Sequence, residues 1–168
     1  PPAFDALQQA AREVGAIQIQ NAGTIAGNIC NASPAADGVP PLLVLGAEVE
    51  LASVAGRRRV PLEDFITGVR RTARASDELA VALHLPHPPS DAGGAFVKLG
   101  TRTSLVISIA MVAAVVRVAQ GRIAWARLAV GACSPVARRL PAWEEELEGR
   151  SLEDVASLRP DASHLEGL

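Results

Sequence analysis

The spacing of apolar residues changes several times along the chain, and each change predicts a new element. Phe4, Leu7, Ala10, Ala11 and Val14 recur at helical intervals, so residues 4–14 are expected to form an amphipathic helix closed by Gly15. Ile17 and Ile19 alternate with glutamines and predict a short strand. The stretch that follows is dense in Gly, Asn, Ser, Pro and Asp, which predicts loops whose backbone amides find no partner within the segment. From Pro40 to Leu45 an apolar run begins a helix, with Pro41 acceptable in its first turn. Val49, Leu51 and Ser53, then Ala55-Gly56, then Arg58 and Val60 read as a hairpin ending at Pro61. Residues 63–67 form a helical turn around Phe65, and residues 77–85 form one more strand before Pro86.

Two prolines and two glycines make HPPSDAGG, residues 87–94, a connector. Beyond it FVKLG, AAVVRVA and IAWARLAV predict three strands, the last two joined at Gln120-Gly121-Arg122. Residues 137–148 carry Leu140, Trp143 and Leu147 at helical spacing opposite a charged face. No internal repeat is visible. The predicted class is α+β in two small units, residues 1–88 and 94–168.

With 168 residues, 49% of them hydrophobic, the chain can bury a real core. A net charge of -2 lacks the basic surplus of a nucleic-acid binder, and Arg57, Arg58 and Arg59 read as a solvated turn and strand edge. Cys30 and Cys133 form no CxxC pair and have no histidine nearby, so neither zinc nor an iron–sulfur cluster is spelled out, and reduced, cytoplasmic thiols are expected. The longest apolar run, residues 105–116, is broken by Ser108 and falls short of the ~20 residues a membrane helix needs. No secretory leader pattern precedes it, and a first residue of Pro rather than Met fits a fragment.

His84, His87 and His164 are scattered and no triad can be assembled; His84 and His87 read as surface residues. Cys30 reads as packed rather than reactive. The segment that stands out is Asn21-Ala-Gly-Thr-Ile-Ala-Gly-Asn28, followed nine residues on by Asp37. Gly23 and Gly27 permit close backbone approach, free amides can hold phosphate oxygens, and Thr24, Asn28, Ser33 and Asp37 offer polar groups to a ribose, a ribityl chain or a ring. The spacing is neither GxGxxG nor a P-loop. From the residues alone two readings stay open: a site for a polar small ligand, or an elaborate turn held by its own Asn and Ser side chains.

The run IQNAGTIAGNICNASPAAD is very similar to the second flavin motif of the molybdenum hydroxylases, TIGGN followed by N-x-x-P-x-x-D. The similarity continues through AEVELAS, RRVPLEDFITGVRRTA and DELAVALHLP. FVKLGTRTSLVISIAMVAAVVRV and IAWARLAVGACSPVARRLPAWEEELEGRSLED resemble the family's C-terminal flavoprotein domain, so nearly the whole chain is covered. The resemblance implies a second subdomain of a vanillyl-alcohol-oxidase-type (PCMH) FAD-binding domain, then a carbon monoxide dehydrogenase flavoprotein C-terminal domain built on a three-stranded antiparallel sheet with helices. It implies FAD as cofactor, with Thr24, Ala26, Gly27 and Asn28 at its diphosphate or ring, Ser33 and Asp37 bonding to it, Val14 near the adenine, Leu79 or Ala80 against it, and Lys98 reaching it from the second unit. Ala26 stands where the family has the first glycine of GGN, and the family's first flavin motif belongs upstream of Pro1.

Lys98 is also the single lysine among sixteen basic residues. The implied activity is that of an electron-transfer subunit beside a molybdenum-cofactor large subunit and a [2Fe–2S] small subunit, with NAD or another species as acceptor and no membrane span. Its rivals are another flavin oxidase of the vanillyl-alcohol type and a docking scaffold that holds no FAD.

Overall fold

The computed structural model describes residues 1–102 and 105–168. A 3-10 turn (Pro2–Phe4) leads into helix α1 (Asp5–Glu13); Ala3 of the turn and Ala6 and Ala10 of the helix are fully buried. The short α2 (Ile17–Ala22) and α3 (Ile25–Asn31) follow, then the entirely buried α4 (Val39–Val44). Strands β1 (Glu48–Ser53) and β2 (Gly56–Pro61) form the expected hairpin, with Val49 opposite Val60. α5 (Leu62–Phe65) and the small β3–β4 ribbon (Ile66–Gly68, Arg71–Thr72) come next. β5 (Leu79–His84) then pairs with β1, giving an antiparallel sheet ordered β2-β1-β5.

The second sheet is ordered β6-β7-β8-β9, from β6 (Ala92–Leu99), β7 (Ala110–Ala119), β8 (Arg122–Gly131) and β9 (Arg138–Arg139). The β7–β8 turn sets both Gln120 (φ 53°) and Gly121 (φ 74°) in the left-handed region, the geometry that matches strand twist in a two-residue hairpin. Helices α6 (Pro141–Leu147) and α7 (Leu152–Ser157) end the chain.

α1 lies along β6, and α4 along β7 and β8. One core therefore runs through both halves, from Ile29, Leu42, Val49, Leu51 and Phe65 to Phe96, Met111, Val115 and Ala129. A smaller cluster of Ile123, Val130, Leu140, Trp143 and Leu147 seats α6 on the opposite face of the second sheet. The approach of α1 is close because small residues meet: a Cβ placed on Gly94 would come 2.5 Å from the Ala3 carbonyl oxygen. The Gln9 side chain accepts from the Phe96 amide at 2.8 Å and covers the outer edge of β6.

Four expectations change. Residues 17–22 are helical, because a single alternation of two isoleucines cannot fix a strand period and no neighbouring strand offers them a ladder. Much of the glycine-rich stretch is also helical: Thr24 caps α3 by accepting from the Gly27 amide at 2.9 Å, so most of its amides are satisfied internally. The predicted connector ends early, since residues 92–94 already belong to β6. The C-terminal sheet has a fourth, two-residue strand, β9, instead of three, and it takes residues 138–139 from the start of the helix expected at 137–148. Arg57, Arg58 and Arg59 lie exposed on β2 as expected; Arg58 grips Glu78 through two hydrogen bonds and, with the Ala75 amide, holds its carboxyl down at about 2. Thr24→Ala should cost about 1 kcal/mol of stability through loss of the cap, and Thr24→Ser should not; urea unfolding midpoints at unchanged slope would read the difference.

Candidate functional site

A cavity of about 440 Å³ opens between α1, α2, α3 and the start of α4. Leu7, Ala11 and Val14 give it an apolar wall from α1 and its C-cap, Ile19 and Gln20 line it from α2, and Thr24, Gly27 and Asn28 line it from α3. Gly38 closes it. Ile17, Ile19 and Ile25 on the two short helices are half or more exposed, so this side of the molecule carries apolar surface without partners among the described residues.

Asn28 carries the most informative atom. Its Oδ1 is buried and has no hydrogen-bond partner among the described residues. An unmet buried acceptor costs on the order of 1–3 kcal/mol, which a ligand N–H or O–H donor would offset. Gly38 permits this arrangement, since a Cβ there would lie 2.9 Å from Asn28 Oδ1. Gly27 has a similar constraint, with a Cβ meeting Thr24 Oγ1 at 2.9 Å.

Behind this wall stands a buried ion pair. Lys98 on β6 donates to Asp37 Oδ2 at 2.8 Å, and each side chain is only 8% exposed. Ser108 donates to Asp37 Oδ1 at 2.7 Å, and Lys98 also reaches the Glu13 carbonyl at 3.4 Å. Asp37 thus joins the ligand loop to the second sheet, one residue before Gly38. Lys98 also borders two smaller hollows, shared with Gln9, Arg12 and Glu13 on one side and with Leu99, Gly100 and Thr101 on the other.

The predicted site residues divide accordingly. Thr24, Gly27 and Asn28 meet at the cavity, as does Val14; Asp37 and Lys98 meet each other directly behind it. Ala26 is half-buried in α3 and is not among the lining residues. Ser33 is occupied locally, accepting from the Ala35 amide at 3.3 Å. Ala80 is half-buried on β5 opposite Leu51, and Leu79 is exposed beside it. Lys98 is not a surface lysine, and His84 is half-buried against Glu50, whereas His87 is exposed. Cys30 packs against the core, and burial raises its thiol pKa despite nearby Arg74. Gly38 and Ser108 escaped the sequence reading, although Gly38 directly follows Asp37 and Ser108 is the one hydroxyl within the apolar run.

Among the described residues no helix is long and apolar enough to cross a membrane, and no cluster of His, Cys, Asp and Glu could hold a metal.

Known proteins give these features a context. A family described as "FAD binding domain in molybdopterin dehydrogenase" matches residues 2–88, and "CO dehydrogenase flavoprotein C-terminal domain" matches residues 95–166. The xanthine dehydrogenase FAD-binding subunit of Escherichia coli O157:H7 is 35% identical over 148 residues, 88% of this chain and 51% of that protein. The nicotinate dehydrogenase FAD-subunit of Eubacterium barkeri is 43% identical over 107 residues, 62% of this chain and 36% of that protein. The chain thus spans about half, or less, of the length of these relatives. Among solved structures, CO dehydrogenase from Oligotropha carboxidovorans superposes with a TM-score of 0.82 at 29% identity, over 91% of this chain and 55% of that one. Quinoline 2-oxidoreductase from Pseudomonas putida 86 superposes with a TM-score of 0.82 at 25% identity, over 92% and 54%. The α+β architecture of two antiparallel sheets with helices is therefore that of the CO dehydrogenase flavoprotein. This chain belongs to the family of FAD-binding domains of the molybdopterin dehydrogenases, whose members include FAD subunits of xanthine and nicotinate dehydrogenases.

Proposed function

We propose that the cavity between α1, α2, α3 and Gly38 is an FAD site, and that the chain serves as the electron-transfer part of a molybdenum hydroxylase. The observation that carries this reading is the unmet Asn28 Oδ1 beside the cavity, with Gly38 leaving the space next to it free of a side chain. The residues present fit the cofactor in kind: an apolar wall suits a flat ring, and the orphaned acceptor suits a ring or ribityl donor. Thr24, Gly27 and Asn28 would hold FAD directly. Asp37 and Lys98 would hold it from behind the wall, with Ser33, Ala26 and Ala80 at its margins.

When bound, FAD supplies the redox chemistry that passes electrons from [2Fe–2S] clusters to NAD or another acceptor. The chain's own residues bind and orient. Lys98 and Asp37, paired with each other, anchor the turn that carries Gly38; Leu7, Ala11 and Val14 exclude water. None of these groups needs to transfer a proton. The partners in this reading are a molybdenum-cofactor large subunit and a [2Fe–2S] small subunit, in the cytoplasm. The two units are residues 1–88 and 94–168, a division supported by the meeting point of the two family matches.

One observation favours a second reading, a scaffold without cofactor. Both Asp37 oxygens, and Thr24 Oγ1, already have partners within the chain. Visible absorption of the protein after incubation with FAD and removal of free cofactor separates the two. Retained flavin that falls severalfold in Asn28→Leu supports the FAD site; a colourless wild type, with its partner subunits present, supports the scaffold. Gly38→Ala provides a milder probe. Its backbone (φ -75°) accepts any residue, so stability should stay within about 1 kcal/mol of wild type, while FAD retention drops because the new methyl displaces the Asn28 amide.

A further inference from the structure

Ser108 is 7% exposed within a run that is otherwise apolar. A buried hydroxyl is tolerated only where a hydrogen bond offsets its lost hydration, and here the bond goes to Asp37 Oδ1 at 2.7 Å. Lys98 holds Oδ2 of the same carboxylate at 2.8 Å. Both donors come from the second half of the chain: Lys98 lies on β6, and Ser108 lies in the segment returning to β7, which the Ile109 amide ties to the Leu99 carbonyl at 2.8 Å. The terminal torsion of an aspartate is intrinsically broad, and two donors on different oxygens remove that freedom. What the carboxylate then fixes is its own backbone. Asp37 leads directly into Gly38, and the Gly38 position relative to Asn28 sets how much room remains around the orphaned acceptor.

We propose that Ser108 is a positioning residue for the flavin site: with Lys98 it clamps Asp37, and through it the Gly38 wall, so that cofactor affinity depends on a hydroxyl outside the cavity. This inference rests on the FAD reading. It gives the buried hydroxyl of an apolar run a role, and it ties the second sheet to a cavity built from the first half's helices.

The test combines two readouts on wild type, Ser108→Ala, Ser108→Thr and Ser134→Ala. Ser134 is a comparably buried serine whose hydroxyl donates to the Val136 carbonyl, away from Asp37. FAD affinity should fall about tenfold in Ser108→Ala, because the unclamped Gly38 wall then spends only about a tenth of its time in the binding arrangement. It should return in Ser108→Thr and stay at the wild-type value in Ser134→Ala. Amide hydrogen exchange at residues 36–39 should accelerate in Ser108→Ala alone. Unchanged affinity in Ser108→Ala, or an equal loss in Ser134→Ala, overturns the proposal. If wild type binds no FAD, the flavin reading fails separately, and exchange decides the clamp: faster opening confined to residues 36–39 supports it, and wild-type rates overturn it.

Discussion

Lys98→Met is expected to lower stability by about 3 kcal/mol and to abolish FAD retention. The substitution keeps an unbranched side chain only one atom shorter but leaves the Asp37 carboxylate, 8% exposed, with a serine hydroxyl as its remaining donor. Breaking a buried ion pair from one side typically costs about 3–5 kcal/mol, whereas replacing both partners together is often close to neutral. Asp37→Asn combined with Lys98→Met should therefore recover most of the stability without recovering the cofactor. Urea unfolding at constant slope gives the first quantity, and flavin absorbance the second. Equal losses in the single and double variants would show that the pair is a surface feature of the fold, not a buried link between its halves.

The second large effect is expected at Gly94. A Cβ there meets the Ala3 carbonyl oxygen at 2.5 Å, the Ala3 carbonyl carbon at 3.1 Å and the Ala6 amide nitrogen at 3.2 Å, all backbone atoms that cannot swing aside. Gly94→Val should force the first turn and α1 away from β6, costing about 1–3 kcal/mol as over-packing usually does. Since α1 carries Leu7 and Ala11, the cavity wall should move with it and FAD affinity should fall. Gly93 is the internal control. It occupies the same strand, but nothing lies within 4 Å of its added Cβ, and valine is the better strand former, so Gly93→Val should be neutral or stabilising. Parallel unfolding curves for the two variants would settle the comparison.

Elements with long or paired periods were legible in the sequence. The hairpin from Val49 to Val60 could be read because Val49, Leu51 and Val60 recur at every second position on either side of the Ala55-Gly56 turn, and the structure pairs Val49 with Val60. The helix around Trp143 was legible from Leu140 and Leu147, which close the second core. Residues 17–31 misled, because Gly, Asn and Thr have low helix propensity and α3 depends on local capping by Thr24 and on tertiary support for Ile29. The candidate site followed the same rule. Thr24, Gly27 and Asn28 are neighbours in sequence, so the motif brought them together on the page. The Lys98–Asp37–Ser108 cluster spans 71 residues, a separation that no local pattern reports. The sequence marked Asp37 and Lys98 separately, and only the fold, which sets the loop before α4 against β6, shows that they bond to each other.

The most direct test of the central claim, that FAD is held at the α3 and Gly38 cavity, is a titration of the isotope-labelled protein with FAD followed by backbone amide NMR. Saturable shifts concentrated at Thr24, Gly27, Asn28 and Gly38, absent in Asn28→Leu, are the predicted result. Binding that shifts other surfaces and leaves these four amides unchanged would contradict the account.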